Sequence, residues 1–274
     1  RAVEINPMLA HAKSNLSAAY RDVVPPWHFA MLDDHVRNRA YRAAIERAVK
    51  GKRVLDIGTG SGLLAMMAAR AGAAEVTTCE AVNLIAEQAR EIVAQNGLSQ
   101  NVTVIAKPST DIAPGELPRK AEVLVTETFS STLLGEGVLP TLEHAHANLL
   151  APNAAVIPAT GAVLGYLAGG EALKGMFFAG TVEGFDITPF NVFAPPSMGM
   201  LFDGFPHDVF SADTELLHFD FRETQFPMRR QIVKAAAARA GEVLGLVQWI
   251  KLELDAQRSE EHTSELQSRF GISY

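Results

Sequence analysis

Residues 54–62 read VLDIGTGSG: an apolar run, an aspartate, then glycines at 58, 60 and 62. An apolar run closed by such a turn reads as a buried strand entering a helix. Glycine permits the tight bend and lets a ligand approach the backbone. The helix N-terminus that follows offers unpaired N–H groups and the positive end of the helix dipole. Outward from this turn the pattern alternates. Residues 53–57, 75–80, 102–106, 123–126 and 155–157 read as strands, and 62–71, 83–95 and 136–150 as helices. Strands alternating with helices imply right-handed crossovers and a parallel sheet. A single helical pattern over residues 27–49 precedes the first strand.

After Pro158 the texture changes. Gly, Pro and Phe become frequent, short β-like runs replace the alternation, and VLGLVQWIKLEL over residues 243–254 is the clearest strand. The expected organisation has four parts: a leading helical segment over 1–26, a cofactor domain over 27–158, a mainly β domain over 159–257 and a tail over 258–274. In the tail, RSEEHTSELQS over residues 258–268 matches one reading frame of a common sequencing adapter. The tail is therefore expected to be an artefact with few buried contacts. The chain is expected to be a fragment whose true sequence continues past Gln257, with the strand near Leu254 left without its next sheet partner.

Composition sets outer bounds. The chain has 274 residues, is 48% hydrophobic and 20% charged, and carries a net charge of -7, which argues against a nucleic-acid platform. No apolar run approaches the roughly 20 residues of a membrane span, and no signal-peptide pattern opens the chain. The one cysteine, Cys79, has no partner within the chain, which suits a reducing compartment; a cytoplasmic location, or a nuclear one in a eukaryote, is expected. No metal site is expected.

Two sets of acids carry the chemistry. Glu80 closes the second strand, 24 residues after Asp56, where an acid accepts hydrogen bonds from both ribose hydroxyls of a nucleotide cofactor. Downstream, TETFSSTLLGEGVLP over residues 126–140 places Glu127 and Glu136 nine positions apart. Arginine presents five N–H donors on a rigid plane, and two carboxylates can each take part of that fork. The loop between the acids is readable as a hairpin with both facing inward. On the residues alone, two unrelated glutamates, one on a loop and one at a helix start, is the favoured reading.

The pattern D-x-G-x-G-x-G, with a further acid closing the second strand, resembles the S-adenosylmethionine-dependent methyltransferase superfamily, whose cofactor domain is Rossmann-like. Within it, TETFSSTLLGEGVLPTLEHA is similar to the double-glutamate loop of the protein arginine N-methyltransferase family. WHFAMLDDHVRNRAY over residues 27–41 resembles that family's N-terminal helix over the cofactor, and VLDIGTGSGLLAMMAARAGA also fits. The details WHF-x-ML, GEG and LEHA resemble the branch containing members seven and nine. Member nine carries tetratricopeptide repeats, which would account for residues 1–20. The resemblance implies an α/β methyltransferase domain followed by a barrel-like β domain. It also implies transfer of a methyl group from S-adenosyl-L-methionine to arginine in a protein or peptide, and a homodimer or internal pseudo-dimer in the full-length parent protein.

Carried over residue by residue, Arg37 would pair with the cofactor's carboxylate and His28 would lie over the cofactor. Asp56, Gly58 and Gly60 would form the turn, and Glu80 would hold the ribose. Ser109 and Thr110 would lie at the adenine edge, Met31 would line the methyl-transfer pocket, and Glu127 and Glu136 would grip the guanidinium. One family element has no match: no Thr-His-Trp or Ser-His-Trp sequence occurs, and His262 lies in the tail. Two other readings stay open, a methyltransferase for a small molecule or a non-arginine site, and a binding module with a vestigial cofactor domain.

Overall fold

The computed structural model describes residues 14–18, 20, 24–25, 27–197, 205–255, 263–264 and 272–273. Most of the leading segment and most of the tail lie outside them; in the leading segment, residues 14–18 and 20 are helical. The described chain falls into two compact units. The first comprises Arg1–Glu127 and His144–Ile157, the second Thr128–Glu143 and Pro158–Tyr274. The stretch Thr128–Glu143 thus clusters with the second unit, although it interrupts the sequence of the first.

The first unit is built on a five-stranded parallel sheet of order β3-β2-β1-β4-β5. Its strands are β1 Arg53–Ile57, β2 Glu75–Cys79, β3 Val102–Ile105, β4 Ala121–Thr126 and β5 Leu150–Ile157. β1 sits at the centre and is buried along Val54, Leu55, Asp56 and Ile57, as expected for a strand covered by helices on both faces. Helices Leu63–Arg70 and Asn83–Gln95 follow β1 and β2, and four of their alanines (Ala65, Ala68, Ala86, Ala89) are wholly buried. Small residues there let helix backbones approach the sheet.

The single helix expected over residues 27–49 is two: α1 Trp27–Asp33 and α2 His35–Ala48. Asp34 separates them. Its backbone leaves the helical region at φ -72, ψ 88, and its side chain accepts from the Arg37 backbone N–H at 2.9 Å. Aspartate in that role is a favoured N-cap because it satisfies a donor the helix itself leaves unpaired. β5 also begins earlier than the sequence indicates, and the expected helix over 136–150 is Val138–His144 followed by a π turn at Ala145–Leu149.

The second unit is antiparallel. Its spine is β6 Thr160–Gly169 against β11 Val243–Glu253, with β10 Thr214–Asp220 on the other side of β6. A core of Tyr166, Ala168, Leu173, Phe177, Val247 and Trp249 packs there. The expectation that β11 would lack a further partner is corrected: Thr263–Ser264 pairs with Leu252 and Glu253, and Ile272–Ser273 pairs with Leu246 and Val247. An edge strand presents unpaired N–H and C=O groups that any extended segment can satisfy, whatever its side chains.

Candidate active site

The first unit gathers its polar groups at the C-terminal ends of β1, β2 and β4, where open α/β sheets hold their ligands. At the end of β1 the chain turns through Gly58, Gly60 and Gly62 at φ 87, 51 and 82. These left-handed values favour glycine strongly over residues with a Cβ. The turn is tied to β2: the Gly58 and Thr59 N–H groups donate to the Cys79 carbonyl at 3.0 and 3.1 Å. A Cβ added at Gly60 would meet nothing within 4 Å among the described residues, which leave space beside the loop.

Glu80 follows β2, and its carboxylate clamps backbone. One oxygen accepts from the Gly60 N–H at 3.1 Å, the other from the Val82 N–H at 3.0 Å. Glu80 therefore shapes the glycine turn directly, a contact that the sequence alone does not show. Beneath the turn lies Asp56, only 1% exposed. The Thr78 hydroxyl donates to its Oδ2 at 2.6 Å, and the Thr59 hydroxyl lies 2.6 Å from that of Thr78. Asp56 Oδ1 is buried with no hydrogen-bond partner among the described residues. Burial, reinforced by the nearby Glu80 charge and only partly opposed by the Thr78 hydrogen bond, pushes the Asp56 pKa up to about 7. Burial also raises neighbouring Cys79 to about 12, so its thiol stays protonated and inert.

At the end of β4, Glu127 meets Arg37 of α2. Arg37 Nη2 lies 2.8 Å from Glu127 Oε2, and the two side chains are only 5% and 8% exposed. Arg37 Nη1 donates to Asn38 Oδ1 at 2.9 Å, while Arg37 Nε is buried without a partner among the described residues. The guanidinium also lies over the ring of Tyr41, 5.3 Å from its centroid. Tyr41 is fully buried and its hydroxyl donates to the Thr126 carbonyl at 3.1 Å. Burial, then the Glu127 charge, hold the Tyr41 phenol well above its ordinary pKa, against the opposing effect of Arg37.

The remaining candidates are placed as follows. His28 is half-buried on α1, its ring stacked on Trp27 at 3.9 Å between centroids, and Met31 is half-buried one turn on. Ser109 is buried and Thr110 exposed in the short 3-10 turn Ser109–Asp111 after β3. Glu136 belongs to the second unit and is exposed. The loop before it turns tightly: Ser130 and Leu133 form an antiparallel bridge, Leu133 sits at φ 69, and the Ser130 hydroxyl accepts from the Gly135 N–H at 2.8 Å.

Residues 41–151 match the family described as ribosomal protein L11 methyltransferase (PrmA), a span holding the glycine turn, Glu80 and Glu127. The chain is 39% identical over 234 residues to a Streptomyces achromogenes subsp. streptozoticus protein named Arginine N(omega)-methyltransferase, which covers 84% of this chain and 65% of that relative. It is 42% identical over 153 residues to protein arginine N-methyltransferase 9 of Xenopus laevis, covering 55% of this chain and 18% of that one. The chain is similar to members of the protein arginine N-methyltransferase family. The fold agrees. The solved Trypanosoma brucei PRMT1 enzyme-prozyme heterotetrameric complex with AdoHcy superposes with a TM-score of 0.73 at 25% identity, covering 91% of this chain and 81% of that one. The chain spans 65% and 18% of the lengths of the two curated relatives named here.

Against this family, the sequence motifs miss three residues that complete the cluster: Tyr41, Thr59 and Thr78. Tyr41 was findable, because it stands four positions after Arg37 on one helix and so shares its face. The two threonines carry no such signal, since only the pairing of β1 with β2 brings Thr78 beside Asp56.

Proposed function

We propose that this chain transfers a methyl group from S-adenosylmethionine to a guanidino nitrogen of arginine in a protein substrate. The observation that carries the reading is the buried contact between Glu127 and the Arg37 guanidinium at 2.8 Å. A carboxylate at the strand ends, set among buried polar groups, already holds the functional group that the acceptor would present.

The residues at the strand ends suit the cofactor. Open space beside Gly60 lets a ligand lie against the glycine turn. Glu80 stands where the ribose hydroxyls would be held, and its carboxylate would exchange backbone partners for them. Arg37 keeps a buried Nε–H without a partner among the described residues, a donor suited to the carboxylate of the cofactor's methionine portion while another arm of the same fork stays on Glu127. His28 and Met31 would cover the site, and Ser109 and Thr110 would edge the adenine.

When bound, S-adenosylmethionine supplies the electrophilic sulfonium methyl. The chain's own contribution is electrostatic and positional. Glu127 and Glu136 would draw positive charge toward two guanidino nitrogens and leave more electron density on the third, the attacking one. They would also hold that nitrogen in line, and one of them would take the proton it sheds afterwards.

Labelled methyl transfer from S-adenosylmethionine to arginine-rich peptides tests this. Label on arginine, and none on lysine-only peptides, is the expected result; no label on any arginine acceptor overturns it. A second acceptor is favoured by the relative whose name specifies arginine without specifying protein. Free L-arginine in a parallel assay separates the two acceptors. The reading extends to self-association. In the second unit Phe185, Phe190, Val192 and Phe193 are 66–79% exposed on neighbouring segments, an apolar surface larger than scattered exposed residues provide. Sedimentation of the chain tests for a dimer.

A further inference from the structure

We propose that Tyr41 is a positioning residue for the transfer, fixing both members of the Arg37–Glu127 pair through one side chain. The proposal rests on the methyl-transfer reading above. Its basis is two contacts made by different parts of one residue. The Tyr41 ring lies under the Arg37 guanidinium at 5.3 Å, within the range of a cation–π attraction. The Tyr41 hydroxyl donates to the carbonyl of Thr126, the residue immediately before Glu127, at 3.1 Å.

Geometry makes the arrangement specific. Arg37 and Tyr41 stand one turn apart on α2, so the ring and the guanidinium share a face. Thr126 ends β4, and its own hydroxyl donates to the Ile57 carbonyl at 3.0 Å, next to the glycine turn. Helix α2, the last residue of β4 and the last residue of β1 are therefore joined through two hydroxyls. Packing alone does not call for the Tyr41 hydroxyl, since phenylalanine fills nearly the same volume. A buried phenol needs a polar partner, and this one finds it in the carbonyl of Thr126, the residue before Glu127. Burial also keeps the phenol protonated, so it serves as a steady donor rather than as a proton acceptor in the reaction.

Tyr41 touches neither acceptor nor cofactor in this scheme. It holds the base of Glu127 and the plane of Arg37, and small displacements of such groups are costly to the chemical step. The test is Tyr41→Phe, which keeps the ring and removes the tether. The expected result is a kcat lowered on the order of 10- to 100-fold, with KM for S-adenosylmethionine and for the arginine peptide changed by less than about threefold and a thermal midpoint close to wild type. The readout independent of turnover is nitrogen-15 NMR of the guanidino groups. Arg37→Lys identifies the Arg37 signals, and Tyr41→Phe is expected to speed their exchange with water.

An unchanged kcat with unchanged Arg37 signals overturns the proposal. A kcat loss that merely follows a lowered melting temperature also overturns it, because it marks a packing role. Wild-type protein that transfers no methyl group sinks the transferase reading instead; the Arg37 signals then still decide whether Tyr41 orders the pair. If Tyr41→Phe does not fold, Thr126→Val loosens the same strand end from the β1 side. It is expected to lower kcat in the same way, and unchanged turnover there counts against the tether.

Discussion

Glu127 and Glu136 stand nine positions apart in one short stretch, and the fold treats them oppositely. The Glu127 side chain is 8% exposed and locked to Arg37, and it belongs to the parallel-sheet unit. Glu136 is exposed and belongs to the antiparallel unit. A buried carboxylate cannot remain charged cheaply without a cation, whereas an exposed one is solvated wherever it points. Asp56 sharpens the contrast. It is buried more deeply than Glu127, at 1% exposed, but its hydrogen-bonding partner is a threonine hydroxyl rather than a guanidinium, and its pKa rises to about 7. Three carboxylates of one chain thus have three electrostatic fates, set by their partners and their burial.

The largest effect on stability belongs to Glu127→Ala. It leaves the Arg37 guanidinium buried without its counter-charge, and removing one member of a buried pair costs about 3–5 kcal/mol. Urea unfolding measures it; a cost near zero would place the pair in water and dissolve the contrast with Glu136.

The next effect depends on pH. With a folded pKa of about 7 against an ordinary value of 3.8, Asp56 keeps its proton in the native state between those pH values while the unfolded chain releases it. Stability from this group is therefore complete below about pH 4, is lost as pH rises to about 7, and is level above that. The span is on the order of 4 kcal/mol at most. Asp56→Asn lacks the titration, so the stability of the wild type relative to this variant should fall from pH 5 to 7.5. Parallel curves from chemical unfolding would show that Asp56 is ionised throughout.

Gly60→Ala is smaller. Space is open there, so only the left-handed backbone at φ 51 resists the methyl group, at about 1–2 kcal/mol. If the open space holds the cofactor, calorimetric S-adenosylmethionine affinity falls by more than that stability loss; equal losses would confine Gly60 to a backbone role.

Glu136→Gln should change stability least, by less than about 0.5 kcal/mol, as for exposed sites generally. Transfer to arginine peptides should nonetheless fall on the order of 100-fold, as for loss of one preorganised charge contact. Normal turnover in this variant would leave Glu127 as the sole carboxylate on the acceptor and return Glu136 to a loop glutamate.

The alternation of residues 53–157 made the parallel sheet legible, because strand burial and helix amphipathicity are local patterns. Helix Asn83–Gln95 falls on the residues the pattern indicates. The break at Asp34 was missed because the helical periodicity continues through it; the sequence offered the cap residue but not the backbone turn it stabilises. The second unit was legible only as a change of texture. Its spine pairs β6 with β11, more than seventy residues apart, and no local window contains that register.

What the sequence by itself determined is the set of chemical groups: the glycine turn, the acid closing β2, an arginine on the helix ahead of the sheet and two glutamates beyond β4. Each follows from residue type and position along a local element. Tertiary structure alone decided what those groups do to one another. Glu80 holds the Gly60 and Val82 backbone, Thr78 reaches Asp56 across two strands, and Tyr41 ties α2 to the residue before Glu127. The Tyr41 and Thr126 positions are 85 residues apart. Hydrogen-bond and Coulomb energies depend on ångström-scale separation and on local burial, and neither quantity exists until the chain has folded.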